Sequence, residues 1–192
     1  MKKILFIAAL AFIVLASCKK DEDVTVITDI ALNATTRTID LPGQYQLIAT
    51  MHIVAGKPAE GTMLTWTSSD PNIATVSASG NVTSVAAGTA TITAKAADKT
   101  AECVVTVRFV SVTDVALDRP ILLTNVGGRY KLSATITPSN ASNKTVTWTS
   151  SDSNVATVDR EGNVTAIAAG ETIITVTTAD GSKTASCEVT VN

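Results

Sequence analysis

The sequence predicts an all-β fold of two tandem two-sheet sandwiches behind a cleaved leader, and three observations predict it. Behind the leader, 31 Thr and 20 Val supply the β-branched residues that suit a pleated surface. Apolar and polar residues alternate with period two in short runs, as in strands with one buried and one wet face. Residues 65–98 and 147–180 share 21 identities in 34 positions at an offset of 82. A period of about 85 residues is too long for a solenoid unit and is the size of a small domain.

From the N-terminus, Lys2 and Lys3 precede an apolar run of 13 residues from Ile4 to Ala16. A helix needs about 20 residues to span a hydrocarbon core, so this run reads as a cleaved secretory signal. It closes on Leu15-Ala16-Ser17-Cys18, which resembles the lipobox of bacterial lipoproteins. Small residues fit a peptidase pocket there, and the Cys18 thiol takes a diacylglyceryl thioether. Two or three acyl chains anchor stably. Next, Lys20-Asp21-Glu22 resembles the lysine-plus-acidic export tag that sends lipoproteins to the outer face of the outer membrane. The expectation is a monomeric outer-membrane lipoprotein, exposed at the cell surface and attached through the lipid on Cys18. Its divisions are a signal peptide at 1–17, the acylated cysteine and charged tether at 18–23, and domains at 24–108 and 109–192. Losing Lys2 and Lys3 with the leader takes the formal net charge from −2 to −4, which leaves no basic footprint for nucleic acid.

Each repeat divides into about seven runs. In the second copy Tyr130, Leu132, Ala134 and Ile136 share one face, as do Val146, Trp148 and Ser150. Ala156 with Val158, Val164 with Ala166, and Ile174 with Val176 follow, and Cys187, Val189 and Val191 close the domain. Gly162-Asn163, Ala169-Gly170 and Asp180-Gly181 punctuate the runs with turn residues, and Gly80-Asn81 and Ala87-Gly88 do so in the first copy. Seven short one-faced strands per repeat make a two-sheet sandwich. At the join, Arg108 to Thr113 follow Val104 to Val107 with no Gly, Pro or Ser-rich spacer. That predicts a stiff end-to-end rod on the order of 80 Å long, with Phe109 packed at the junction.

The run W-x-S-S-D-x-N-[IV]-A-T-V, then G-N-V-T-x-[VI]-A-A-G, then C-x-V-T-V, resembles the bacterial immunoglobulin-like (Ig-like) domain, group 2, from about residue 24 to 192. The resemblance implies the Ig-like β-sandwich of intimin- and invasin-type surface proteins. It also implies an adhesive role, or a spacer role of the kind such modules play in extracellular enzymes. The family brings no shared catalytic residues.

Trp66 and Trp148 keep the parity of Leu64 and Val146, which places both rings in the core rather than on a sugar-binding face. Tyr45 and Tyr130 are read as core on the same ground. Cys103 and Cys187 occupy matching positions among inward valines. Such positions in end-to-end domains lie beyond the about 7 Å that a disulfide bridges, so both are read as buried thiols. Ser69 to Asn72 and Ser151 to Asn154 offer one carboxylate each, Asp70 and Asp152, too few for calcium and suited to turns. His52 is the single histidine and cannot build a histidine metal cluster. No catalytic residue, metal site or cofactor is expected.

Candidates for binding are loop residues of the second copy that differ from the first: Asn140, Asn143 and Lys144, and the Asp159-Arg160-Glu161 tip where the first copy has Ser77 and Ser79. Two functions remain open. One is adhesion to a host or neighbouring-cell protein or glycan through distal loops of the second domain. The other is a structural spacer with no ligand of its own, which the high identity between the repeats favours.

Overall fold

The computed structural model describes residues 26–54 and 63–192. The signal segment 1–17, Cys18 and Lys20, Asp21 and Glu22 lie outside the described residues.

The described residues form strands and turns in two successive sets of nine. The first set is β1 (Val26–Leu32), β2 (Thr36–Leu41), β3 (Gln44–Gln46), β4 (Ala49–Val54), β5 (Thr65–Ser68), β6 (Ala74–Val76), β7 (Asn81–Ser84), β8 (Gly88–Ala96) and β9 (Lys99–Phe109). The second is β10 (Asp114–Leu117), β11 (Ile121–Thr124), β12 (Arg129–Lys131), β13 (Ala134–Thr137), β14 (Val146–Ser150), β15 (Ala156–Val158), β16 (Asn163–Ala166), β17 (Gly170–Thr178) and β18 (Thr184–Val191). In the first domain one sheet has the order β2-β9-β8-β5, with β2 parallel to β9 and the other pairs antiparallel. The opposing layer is in two pieces, β3-β7-β6 and β1-β4. The second domain repeats this plan with β11-β18-β17-β14 against β12-β16-β15 and β10-β13.

Period-two burial builds each core. Ile92, Cys103, Val105 and Val107 of the four-stranded sheet meet Leu47, Ala74 and Val82 of the opposite layer. In the second domain Ile174, Cys187, Val189 and Val191 meet Leu132, Ala156 and Val164. Fully burying one such side chain contributes about 1.5–3 kcal/mol. The alternate positions are mostly Thr, Ser, Lys and Glu in contact with water.

Nine strands per domain exceed the expected seven for two reasons. The strands β2 and β11 were not anticipated; they run parallel beside the last strand, in registers Thr36↔Val104 and Ile121↔Glu188. The face expected to run unbroken from Tyr130 to Ile136 is split between β12 and β13. The break lies at Leu132 and Ser133. Leu132 N–H still donates to Gly162 O at 2.9 Å, whereas Ser133 N–H turns to the Asp118 carboxylate at 2.9 Å. In the first domain Ile48 N–H turns to the Asn33 side chain at 3.0 Å in the same way. One side chain thus hands the strand from one partner to another, and every backbone donor at the break keeps an acceptor.

Tyr130 requires a correction. It is 38% exposed, not core. It lies on β12, an edge strand with a neighbour on one side only. In the first domain the Arg37 guanidinium covers the Tyr45 ring at 4.2 Å from its centroid. Leu122 occupies the Arg37 position in the second domain and is buried at 4% exposure, so no cation covers Tyr130. Tyr45, Trp66 and Trp148 are half-buried and pack against the two cores.

The tryptophans tie the layers together through glycine. Gly80 and Gly162 both have φ +83°, in the left-handed region. A Cβ on either would stand 2.9 Å from Cζ2 of Trp66 or Trp148. Only glycine satisfies both the turn and the close approach. Gly127 shares φ +83° but has nothing within 4 Å of such a Cβ. Gly127→Ala is therefore expected to cost only the backbone strain, about 1–3 kcal/mol. Gly80→Ala and Gly162→Ala should cost more, because the Leu47 or Leu132 carbonyl oxygen, 2.5 or 2.7 Å from such a Cβ, and the ring must both give way. Urea denaturation of the three variants checks this, and equal losses at Gly127 and Gly162 would remove the close approach of carbonyl and ring from the account.

Candidate functional site

A hydrogen-bonded polar site joins the two domains. The strand β9 ends at Phe109, which pairs with Leu41 of the first domain, so the boundary expected between Arg108 and Phe109 lies within this strand. Phe109 is 46% exposed and does not fill the junction as expected: it has the inward parity of Cys103, Val105 and Val107 but stands at the last position of β9, past the buried row. Residues 110–113 link β9 to β10, and Val110, Val112 and Thr113 are each held by a hydrogen bond. Val110 N–H donates to Ser142 Oγ at 2.7 Å, and Ser142 N–H donates to Val110 O at 2.8 Å. Val112 is buried and its N–H donates to the Asp180 carboxylate at 2.7 Å. Thr113 N–H donates to Thr137 O at 2.8 Å.

Two side chains of the second domain reach the first. Ser142 Oγ, while accepting from Val110, donates its proton to Leu41 O. Asn140 Nδ2 donates to Asp40 Oδ2 at 3.0 Å. The other oxygen, Asp40 Oδ1, takes Nε and Nη2 of Arg108 at 3.0 and 2.6 Å. Asp40 and Arg108 are adjacent because β2 and β9 pair them in register. An ion pair this exposed contributes about 0–1 kcal/mol, so its role is to orient Asp40 toward Asn140. Between the domains lies an open cleft of about 360 Å³ lined by Asp40, Pro42, Asn140, Ala141, Ser142 and Lys144.

This arrangement relocates the first group of expected binding residues. Asn140 and Lys144 lie at the junction with the first domain, not at a distal tip, because the loop after β13 turns back toward Leu41. Asn143 Oδ1 accepts Thr145 N–H at 3.0 Å and serves its own turn. The second group sits elsewhere. Asp159, Arg160 and Glu161 rim an open recess of about 580 Å³ beside Trp148. The Asp159 carboxylate is engaged locally: it accepts the N–H groups of Glu161 and Asn163 at 3.0 and 2.8 Å, and Asn163 Nδ2 at 2.7 Å. The bonds from Asn163, with a smaller contribution from Glu161, hold its carboxyl below the usual carboxylate range. Ser77 does part of the same work in the first domain, accepting Asn81 N–H at 3.0 Å.

The remaining candidates are structural in their contacts. Asp70 and Asp152 each accept the N–H two residues on at 2.9 Å, closing turns. His52 lies in β4 with Nδ1 3.8 Å from the Asp29 carboxylate, both exposed. Cys103 and Cys187 are free thiols with no exposed surface. Burial pushes both thiols above their ordinary pKa, only partly offset at Cys103 by Arg37 and at Cys187 by Arg119. Among the described residues no three His, Cys, Asp or Glu side chains gather to hold a metal ion. Sequence reasoning missed Asp40, Arg108, Ser142 and Asp180. One signal was available: Asp40 and Arg108 stand where the second repeat has Asn125 and Asn192, so the charge pair is unique to the tip that meets another domain.

Residues 111–189 match the bacterial Ig-like domain (group 2) model, and residues 62–108 match a bacterial Ig-like domain model. The chain belongs to the bacterial Ig-like domain family. An Ig-like virion protein of Serratia phage KSP90 is 46% identical over 93 residues, 48% of this chain and 36% of that protein. A 3-O-alpha-D-galactosyl-alpha-L-arabinofuranosidase of Bifidobacterium longum subsp. longum is 51% identical over 67 residues, 34% of this chain and 6% of that enzyme. The chain therefore spans well under two thirds of these relatives. The S-layer protein SbsC is 22% identical with a TM-score of 0.48, over 88% of this chain and 28% of that one.

Two outcomes are expected at this site. In a fragment starting at Lys19, a thiol reagent should find no reactive cysteine in the folded state and both Cys103 and Cys187 in denaturant. A titratable thiol in the native protein would contradict their burial. The depressed Asp159 carboxyl stabilises its turn fully above the unfolded carboxylate pKa, and that contribution is lost as pH falls through the lower folded value. The Asn163 amide resonance should follow this titration, and Asp159→Ser, which restores the first-domain chemistry, should abolish it.

Proposed function

We propose that this chain is a non-enzymatic surface lipoprotein, anchored to the membrane through the lipid on Cys18, whose two Ig-like domains are coupled as one stiff unit. The single observation that carries this reading is the Ser142 hydroxyl, which accepts from the linker at Val110 and donates to Leu41 of the first domain. With Asp180 and Thr137 holding the rest of the linker, no freely rotating peptide separates the sandwiches. A flexible tether would be rich in Gly and Ser with its backbone open to water. The lipobox at Leu15 to Cys18 and the kinship with a virion Ig-like protein support a location outside the cytoplasm, and the Lys20-Asp21-Glu22 tag supports the outer face of the outer membrane. What aligns with the arabinofuranosidase is 6% of that enzyme, in keeping with an accessory module. The adhesive alternative loses one of its two loops, since Asn140 is engaged by Asp40 rather than presented at a tip, and keeps the exposed Asp159-Arg160-Glu161 tip.

The coupled unit is tested by Ser142→Ala combined with Asp40→Ala. Each hydrogen bond contributes about 0.5–1.5 kcal/mol, so the thermal stability of either sandwich should change little. NMR relaxation should show the two domains tumbling together in the wild type and separately in the variant. Independent tumbling of the unaltered protein would refute the stiff unit. For location, protease added to intact cells should digest the protein; survival until the outer membrane is opened would move it to the periplasm.

A further inference from the structure

The outer face of the four-stranded sheet has diverged between the two domains in a way that the fold does not require. On β11, Ile121 and Leu123 are 58% and 68% exposed, and Ile173 on β17 is 45% exposed. Register places them in two rows across the sheet: Ile121, Glu188 and Ile173 in one, and Leu123, Thr190 and Glu171 in the next. The matching rows of the first domain are Thr36, Val104 and Thr91, and Thr38, Thr106 and Thr89. The same sandwich is thus built with a threonine face in one copy and an aliphatic face carrying two carboxylates in the other. Apolar groups at such exposure contribute little to folding.

The backbone beside this face is also open. The strand β11 is the edge of its sheet and pairs only with β18 among the described residues. Glu188 N–H bonds Pro120 O, and Asn192 N–H bonds Thr124 O. In a parallel ladder the peptide groups of every second residue face one neighbour, so those of Ile121 and Leu123 point away from β18. An apolar edge with free donors and acceptors is a template for another strand unless it is blunted by charge. Arg119, at the entry to β11, is paired with Asp118 at 3.7 Å and does not guard it.

We propose that the β11 edge and the face beside it bind an extended segment of another protein that alternates Lys or Arg with aliphatic residues, added as a fifth strand. Strands lie about 4.8 Å apart. Basic side chains of the added strand would lay their stems over Ile121 and Leu123 and carry their charge toward Glu188 and Glu171. Its aliphatic side chains would extend the inward row of Leu122 at the rim of the core. Main-chain bonds supply affinity and the alternating side chains supply specificity. A second copy of this chain fits poorly, because it would bring the same glutamates together without any cation. The site is independent of domain coupling and stands whether or not the Ser142 variant tumbles freely.

The test uses the full chain and a fluorescent peptide of alternating Lys and Val, read by anisotropy. It should bind at least about tenfold tighter than a peptide of equal composition with its Lys and Val in blocks. Ile121→Thr with Leu123→Thr, which installs the first domain's own residues, should weaken binding about tenfold, as should Glu171→Gln with Glu188→Gln. Should the threonine variant not fold, Leu123→Lys, at the most exposed of these positions, should block the edge by itself. Absence of binding, equal affinity for both peptides, or affinity unchanged in the variants would overturn the proposal. So would a dimer that disappears with Ile121→Thr and Leu123→Thr, since that assigns the edge to a second copy.

Discussion

Each domain depends on one contact, a tryptophan ring from the four-stranded sheet lying against a left-handed glycine turn of the opposite layer. The cores are otherwise built of small and branched residues: Ala74, Val82, Cys103 and Val105 in the first domain, and Ala156, Val164, Cys187 and Val189 in the second. Such side chains fill the space between sheets without locking one sheet's position over the other. The rings of Trp66 and Trp148 span that gap, and Gly80 and Gly162 let the facing turns come close enough to meet them. The same turn glycines accept Leu47 and Leu132 N–H, so the contact also fixes where the adjoining strand leaves its sheet. This accounts for the W and G-N-V-T motifs standing together in both repeats.

The junction follows a different logic. It is polar, narrow and bound to backbone atoms rather than to a hydrophobic patch. A polar interface of this kind holds direction well and adds little to the stability of either half, since every bond competes with water. Its economy lies in Ser142, whose one oxygen bonds both the linker and the neighbouring domain. Asp40 is similarly shared, between Arg108 of its own domain and Asn140 of the other.

Much of the fold was legible in the sequence because the buried face alternates cleanly. Ile174 with Val176 and the run Cys187, Val189, Val191 point inward as their spacing requires. Other elements were hidden for physical reasons. In β11 the run Ile121 to Thr124 is too apolar to alternate, and in β2 an arginine occupies an inward-facing register position at the rim. The break before Ala134 is made by Asp118, a residue in the bend after β10, and local periodicity cannot reveal a distant acceptor. Tyr130 has the parity of a core residue, yet parity says nothing about whether a strand lies at an edge. At the junction, the differing loop around Asn140 was recognised, but its partner Asp40 is 100 residues away in sequence.

The parallel pairing of β2 with β9, and of β11 with β18, has a mechanical consequence whenever the chain is pulled from its two ends. Tension along the chain pulls two parallel neighbours past each other lengthwise, so the bonds between them are loaded together rather than peeled singly. The first domain presents six paired residues to such shear and the second presents four. Forced unfolding is governed by the rate of crossing this barrier rather than by equilibrium stability. Under a steady pull the second domain yields first, and the first domain holds.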